Sequence, residues 1–97
     1  MKINYVSEIS ILMCIYKEDN PKYLIKALES LIEQSSFFYE LIIVQDGILT
    51  IELNKVINKF KKLIKIKQIS LNKNVGFPSA LNIGLSQAKT EWIARFD

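Results

Sequence analysis

Ile64-Lys65-Ile66-Lys67-Gln68-Ile69-Ser70-Leu71 reads as a strand, the third of four in the chain, and its start alternates isoleucine with lysine. Lysine at every second position suits the edge of a sheet, where one flank is wet and charge costs little. The other strands lack that pattern. Ile9 to Ile15 is a continuous apolar run bounded by charge, as expected of a strand buried on both faces. Tyr39 to Val44 is a second short apolar strand, and Trp92 to Phe96 is the fourth, running directly into Asp97.

Helical periodicity fills the intervals. Asn20 is a cap residue and Pro21 fits a first turn, ahead of an apolar stripe at Leu24, Ala27, Leu28, Leu31 and Ile32 that stops at Gln34-Ser35-Ser36. Thr50 caps a second helix with its stripe at Leu53, Val56, Ile57, Phe60 and Leu63. After the loop Asn72 to Gly76, Pro78 opens a third, with Leu81, Leu85 and Ala88 on one side and Gly84 allowing close packing.

Alternating strands and helices with short connections specify a parallel sheet with right-handed crossovers. With the alternating strand at one edge, the order is 3-2-1-4, in a three-layer α/β/α arrangement. Ligands of such sheets bind at the carboxyl ends of the strands, in the crevice where the strand order reverses. Here that crevice receives Tyr16, Glu18 and Asp97, with Asp46 adjacent.

Composition narrows the chemistry. The chain has 97 residues, 49% apolar and 24% charged, which supports one soluble domain with one core. There is no histidine and a single cysteine, Cys14. Imidazole acid–base chemistry, Ser-His triads and zinc clusters are thereby excluded within this chain. The net charge of +3 is mild, and Lys55, Lys59, Lys61, Lys62, Lys65 and Lys67 read as a solvated helix face and strand flank rather than a nucleic-acid surface. The apolar run at Ile9 is too short to span a membrane and leads into Tyr-Lys-Glu-Asp rather than a cleavage site. A cytoplasmic chain is expected, with peripheral association on the inner face of the membrane as an addition.

The loops hold no glycine-rich phosphate cradle of either common kind. They offer carboxylates, amides and a phenol instead. Asp46 can accept from a base's ring N–H, Tyr16 can stack on a base, and Asp97 can hold ribose hydroxyls or a divalent cation. Each has an ordinary alternative: Asp46-Gly47 is a common turn pair, Tyr16 can be packing, Glu18 a solvated or capping group, and Asn74 and Gly76 turn formers. Their joint placement at strand ends favours the functional reading.

Along essentially its whole length the chain resembles the N-terminal half of the family-2 glycosyltransferases of GT-A fold. Cys14-Ile15-Tyr16-Lys17-Glu18 resembles that family's Pro-x-Tyr-Asn-Glu, and Leu31-Ile32-Glu33-Gln34-Ser35 its Leu-x-x-Gln-Ser/Thr. Ile43-Val44-Gln45-Asp46-Gly47 is similar to Val-Asp-Asp-Gly, followed by Asn74-x-Gly76 and Ala80-x-Asn82-x-Gly84. Ile93-Ala94-Arg95-Phe96-Asp97 resembles the opening of the Asp-x-Asp segment. The sequence departs at Cys14, where Pro or Thr is usual, at Lys17, where Asn is usual, and at Gln45, which replaces the first Asp of a pair.

The resemblance implies a nucleotide-diphospho-sugar site, for a UDP- or GDP-sugar, built from Cys14, Tyr16, Glu18, Asp46, Asn74, Gly76 and Asp97. It implies Mg²⁺ or Mn²⁺ near Asp97, held weakly or not at all without the second Asp of the pair, and an inverting transfer to a glycan or other acceptor. The second metal Asp and the catalytic base are expected beyond Asp97. The 97 residues are thus read as one truncated domain, the donor-binding part, inactive alone and prone to dimerise through an exposed fourth strand. The alternatives are a non-catalytic flavodoxin-like nucleotide-binding or interaction module, and a basic surface for RNA or anionic membrane.

Overall fold

The computed structural model describes residues 9–96. Its elements are β1 (Ile9–Ile15), α1 (Pro21–Glu33), a 3-10 turn (Ser35–Phe37), β2 (Glu40–Gln45), α2 (Ile51–Phe60), β3 (Ile66–Ser70), α3 (Phe77–Gln87) and β4 (Trp92–Arg95). The four strands form one sheet in the order β3-β2-β1-β4, every pairing parallel. The order argued from the lysines of the third strand is the order found.

β2 is the spine. Leu41, Ile42, Ile43 and Val44 are all fully buried, each side chain contributing about 1.5–3 kcal/mol on removal from water. Their alternation divides the core in two. Leu41 and Ile43 meet Leu28, Leu53 and Ile57 of α1 and α2 on one face; Ile42 and Val44 meet Leu12 and Ala80 of α3 on the other.

The helix starts are set by the expected caps. The Asn20 Oδ1 accepts from the Lys22 N–H at 2.9 Å and the Thr50 Oγ1 from the Leu53 N–H at 3.2 Å, each cap being worth about 1 kcal/mol. Two expected core positions are corrected. Leu63 is 59% exposed, because α2 ends at Phe60 and the chain tightens, the Leu63 N–H reaching the Phe60 carbonyl. Ile64 takes the buried place instead.

Leu85 is likewise outside the seam of α3, at 44% exposed, while Ala80 and Gly84 are buried. A Cβ on Gly84 would fall onto the Leu12 Cδ1 and lie 2.9 Å from the Val44 Cγ2. The helix therefore rides on the sheet through its smallest residues, as the reading of Gly84 required. Lys67 is half-buried rather than outward, its Nζ donating at 3.0 Å to the Gln87 carbonyl at the end of α3, where the helix dipole favours a cation. The neighbouring Lys65 lies over the Tyr39 ring, 3.7 Å from its centroid. A hydrogen bond with Lys65, then its positive charge, draw the Tyr39 phenol below its ordinary pKa.

At the amino end of the sheet the α3 face holds a polar cluster that the sequence did not announce. Glu40 is buried; its Oε2 accepts from the Ser10 Oγ at 2.8 Å and from the Lys89 N–H at 3.2 Å. The Ser10 and Thr90 hydroxyls are 2.6 Å apart. This cluster joins the entrances of β1 and β2 to the turn before β4. Glu40→Ala removes the acceptor shared by the Ser10 hydroxyl and the Lys89 amide, and is expected to cost about 2 kcal/mol in urea unfolding, with Glu40→Gln costing less than half of that.

Candidate functional site

At the opposite edge, β1 and β2 end side by side and the chain leaves each of them into a polar turn. The Asp46 N–H donates to the Ile15 carbonyl at 2.8 Å, which fixes the exit of β2 against the end of β1. Asp46 is 7% exposed, and both of its carboxylate oxygens are engaged: Oδ1 accepts from the Val75 N–H at 2.6 Å and Oδ2 from the Gly76 N–H at 3.1 Å. The Asn74 Oδ1 accepts from the same Gly76 N–H at 3.1 Å. Charge-assisted bonds of this kind are short and about twice as strong as neutral ones. Asp46 thus clasps the loop that leads into α3.

Gly47 makes the clasp possible. Its φ is +93°, and a Cβ there would stand 3.0 Å from the Asn74 backbone nitrogen. A side chain would be both strained and in the way of the loop. Gly76 has φ +92° and serves as the residue before the first turn of α3.

Gln45 has the other task at this edge. Its Oε1 accepts from the Gln68 Nε2 at 2.5 Å and from the Ser70 hydroxyl, and its Nε2 donates to the Asn54 Oδ1 at 3.2 Å. The amide therefore faces α2 and β3, and ties three elements together directly below Asp46. A carboxylate at this position could accept from Gln68 and Ser70 and would need the Asn54 amide to turn its NH₂ toward it. The replacement of an acid by an amide is matched by its partners.

The structure brings five of the seven candidate residues around one cavity of about 190 Å³, lined by Cys14, Ile15, Tyr16, Asp46, Asn74, Gly76 and Phe77. Glu18 is exposed and does not line this cavity. The acid engaged in that turn is Asp19, whose Oδ2 accepts from the Tyr16 N–H at 2.9 Å. Asp97 lies outside the described residues. Phe77 was missed; the available signal was an aromatic placed between the turn glycine and the proline that opens the helix.

A larger cavity of about 400 Å³ adjoins the first and shares Cys14, Ile15, Tyr16 and Phe77 with it. Its remaining lining combines apolar side chains, Leu24 and Ala27 of α1, Leu81 of α3 and Phe96, with Asp19, Asn20 and Arg95. Size does not decide between them. Specific recognition needs placed polar groups in an apolar setting, and what sets the smaller cavity apart is Asp46, a buried carboxylate held by two backbone N–H groups.

Among the described residues no three His, Cys, Asp or Glu side chains come together to hold a metal ion. Asp46, the acid in the smaller cavity, already spends both oxygens on backbone N–H groups. These residues do not make an oxygen cage for Mg²⁺ or Mn²⁺, which require several such ligands. No helix among them is long and apolar enough to cross a membrane.

Comparison with known proteins agrees with this fold. The model of "Glycosyl transferase family 2" matches residues 10–97. Over 90 residues the chain is 40% identical to the Escherichia coli UDP-Gal:alpha-D-GlcNAc-diphosphoundecaprenol beta-1,3-galactosyltransferase, covering 93% of this chain and 33% of that protein. It is 34% identical to an uncharacterized glycosyltransferase of Haemophilus influenzae, covering 93% of this chain and 34% of the relative. It is 33% identical to the amylovoran biosynthesis glycosyltransferase AmsE of Erwinia amylovora, covering 91% and 33%. The chain spans about a third of the length of these curated relatives. Its parallel sheet in the order 3-2-1-4 is consistent with the GT-A fold of nucleotide-sugar transferases. On the match to nearly all of its length, the chain belongs to glycosyl transferase family 2.

Proposed function

We propose that residues 1–97 form the donor-binding part of a GT-A glycosyltransferase that takes its sugar from a UDP- or GDP-sugar. The observation that carries this reading is the smaller cavity, where Asp46 is held rigid beside Tyr16, Asn74 and Gly76. Each Asp46 oxygen accepts one backbone N–H and keeps a second lone pair. That leaves an acceptor for the edge N–H of uracil or guanine, on a carboxylate that does not have to be ordered by the ligand. Pre-organisation of this kind lowers the entropic cost of binding.

The roles then divide by position. Tyr16, 42% exposed at the end of β1, supplies a face for the base. Cys14 lines the cavity, and Glu18, exposed on the turn after β1, is left for the ribose. On the family resemblance, Asp97 is the residue for the ribose. The acceptor hydroxyl is deprotonated by a carboxylate outside these residues, and the sugar transfers with inversion. On this reading the 97 residues bind donor and do not complete the transfer. A polysaccharide or lipid-linked glycan acceptor is supported by the names of the Escherichia coli and Erwinia amylovora relatives, and such an acceptor suits an enzyme placed peripherally on the inner face of the membrane.

Calorimetric titration with UDP and with GDP in the presence of Mn²⁺ tests the assignment. Saturable binding of one of them is expected. Absence of binding by either at millimolar concentration removes the donor site.

A further inference from the structure

Phe77 is the first residue of α3 and lines both cavities. It remains 47% exposed, while α3 seats itself on the sheet through Ala80 and Gly84. Core packing therefore does not account for a large aromatic at this position. The ring is nevertheless held from two directions. The Gly76 N–H immediately before it is bound by Asp46, and the Arg95 guanidinium lies over the ring, 5.4 Å from its centroid. Tyr16, the other aromatic shared by both cavities, rises from the end of β1. The smaller cavity thus has an acceptor carboxylate and two partly exposed aromatic rings along its walls. Its volume of about 190 Å³ admits a planar heterocycle.

We infer that Phe77 is a donor-site residue whose ring forms a stacking wall for the nucleobase, set in place by the Asp46 clasp behind it and the Arg95 cation over it. The inference rests on the reading of this cavity as the base site. It adds a second aromatic to the recognition and explains why the loop before α3 is fastened so firmly: the fastening places the ring. Every base presents a π-face, so this contact adds affinity without selecting the base, and selection stays with Asp46.

The test compares the protein with Phe77→Ala, Phe77→Leu and Phe77→Trp variants. The measurements are calorimetric affinity for UDP and GDP, the difference absorbance of the bound base, and the melting temperature. Loss of the π-face is expected to weaken the better nucleotide roughly tenfold in both Phe77→Ala and Phe77→Leu. Phe77→Trp should restore it, along with the loss of base absorbance that stacking produces. Phe77→Leu keeps an apolar side chain of moderate size at an exposed position, so its melting temperature should be unchanged. If Phe77→Leu binds as the parent does, or if Phe77→Trp fails to recover binding, the inference is overturned while the donor site stands. If the parent protein binds neither nucleotide, the donor site falls and the role of Phe77 falls with it.

Discussion

Asp46→Ala is expected to abolish measurable nucleotide binding and, at the same time, to destabilise the fold by about 2–3 kcal/mol. The two effects have one origin. The carboxylate accepts from the Val75 and Gly76 N–H groups, and hydrogen bonds to a charged group are worth about 1.5–3 kcal/mol each, less what water recovers once the loop opens. In a domain of this size each kcal/mol moves the midpoint by about 4–8 °C, so the melting curve should fall by some 10–20 °C. Asp46→Asn separates the parts. It keeps one acceptor and turns an NH₂ toward the other backbone N–H, so it should cost about 1–2 kcal/mol while still losing most of the binding. Equal melting of Asp46→Ala and the parent would show that the clasp carries no weight in solution.

The second large effect is expected at Gly84. Two terms oppose each other in Gly84→Ala: removing a glycine from a helix interior gains up to about 1 kcal/mol, and overpacking costs about 1–3 kcal/mol. Overpacking wins, because the atoms in the way belong to Leu12 and Val44, which are themselves buried in the sheet. A net loss of about 1–2 kcal/mol follows for alanine. Gly84→Leu cannot be accommodated without lifting α3, and should lower the melting temperature by about 15 °C or more. Binding should fall in parallel, since Gly76 and Phe77 start the same helix. An alanine variant as stable as the parent would mean that α3 has slack against the sheet.

The order of the strands was legible because each strand's burial is written in its own composition. Lys65 and Lys67 mark β3 as an edge, and the apolar runs Ile11 to Ile15 of β1 and Leu41 to Val44 of β2 mark the interior. The caps at Asn20 and Thr50 were legible for a similar reason, a local bond made by a residue type that rarely has another use there. What escaped were matters of direction and of long range. Leu63 and Leu85 fit a helical period, but a period does not say where the helix stops or how closely it approaches its sheet. Glu40 falls within a strand read simply as apolar and is a buried partner of Ser10, thirty positions away. In the turn after β1 the two adjacent acids Glu18 and Asp19 are indistinguishable by type; only the fold of the turn sends Asp19 inward. The clasp of Asp46 on residues 75 and 76 needed the structure too, although the glycines that permit it, Gly47 and Gly76, are visible as turn residues.

The register of β2 has an evolutionary consequence. Glu40 at its entrance belongs to one polar cluster, Gln45 at its exit to another on the opposite face, and Asp46 follows at once. One inserted or deleted residue between them would turn every group on one side of it to the wrong layer. The turns at either end of α1 and α2 carry no such double constraint. Length variation among descendants of this sequence should therefore collect in the turns, and the seven positions from Glu40 to Asp46 should be inherited as an indivisible block, changing in letter but not in number.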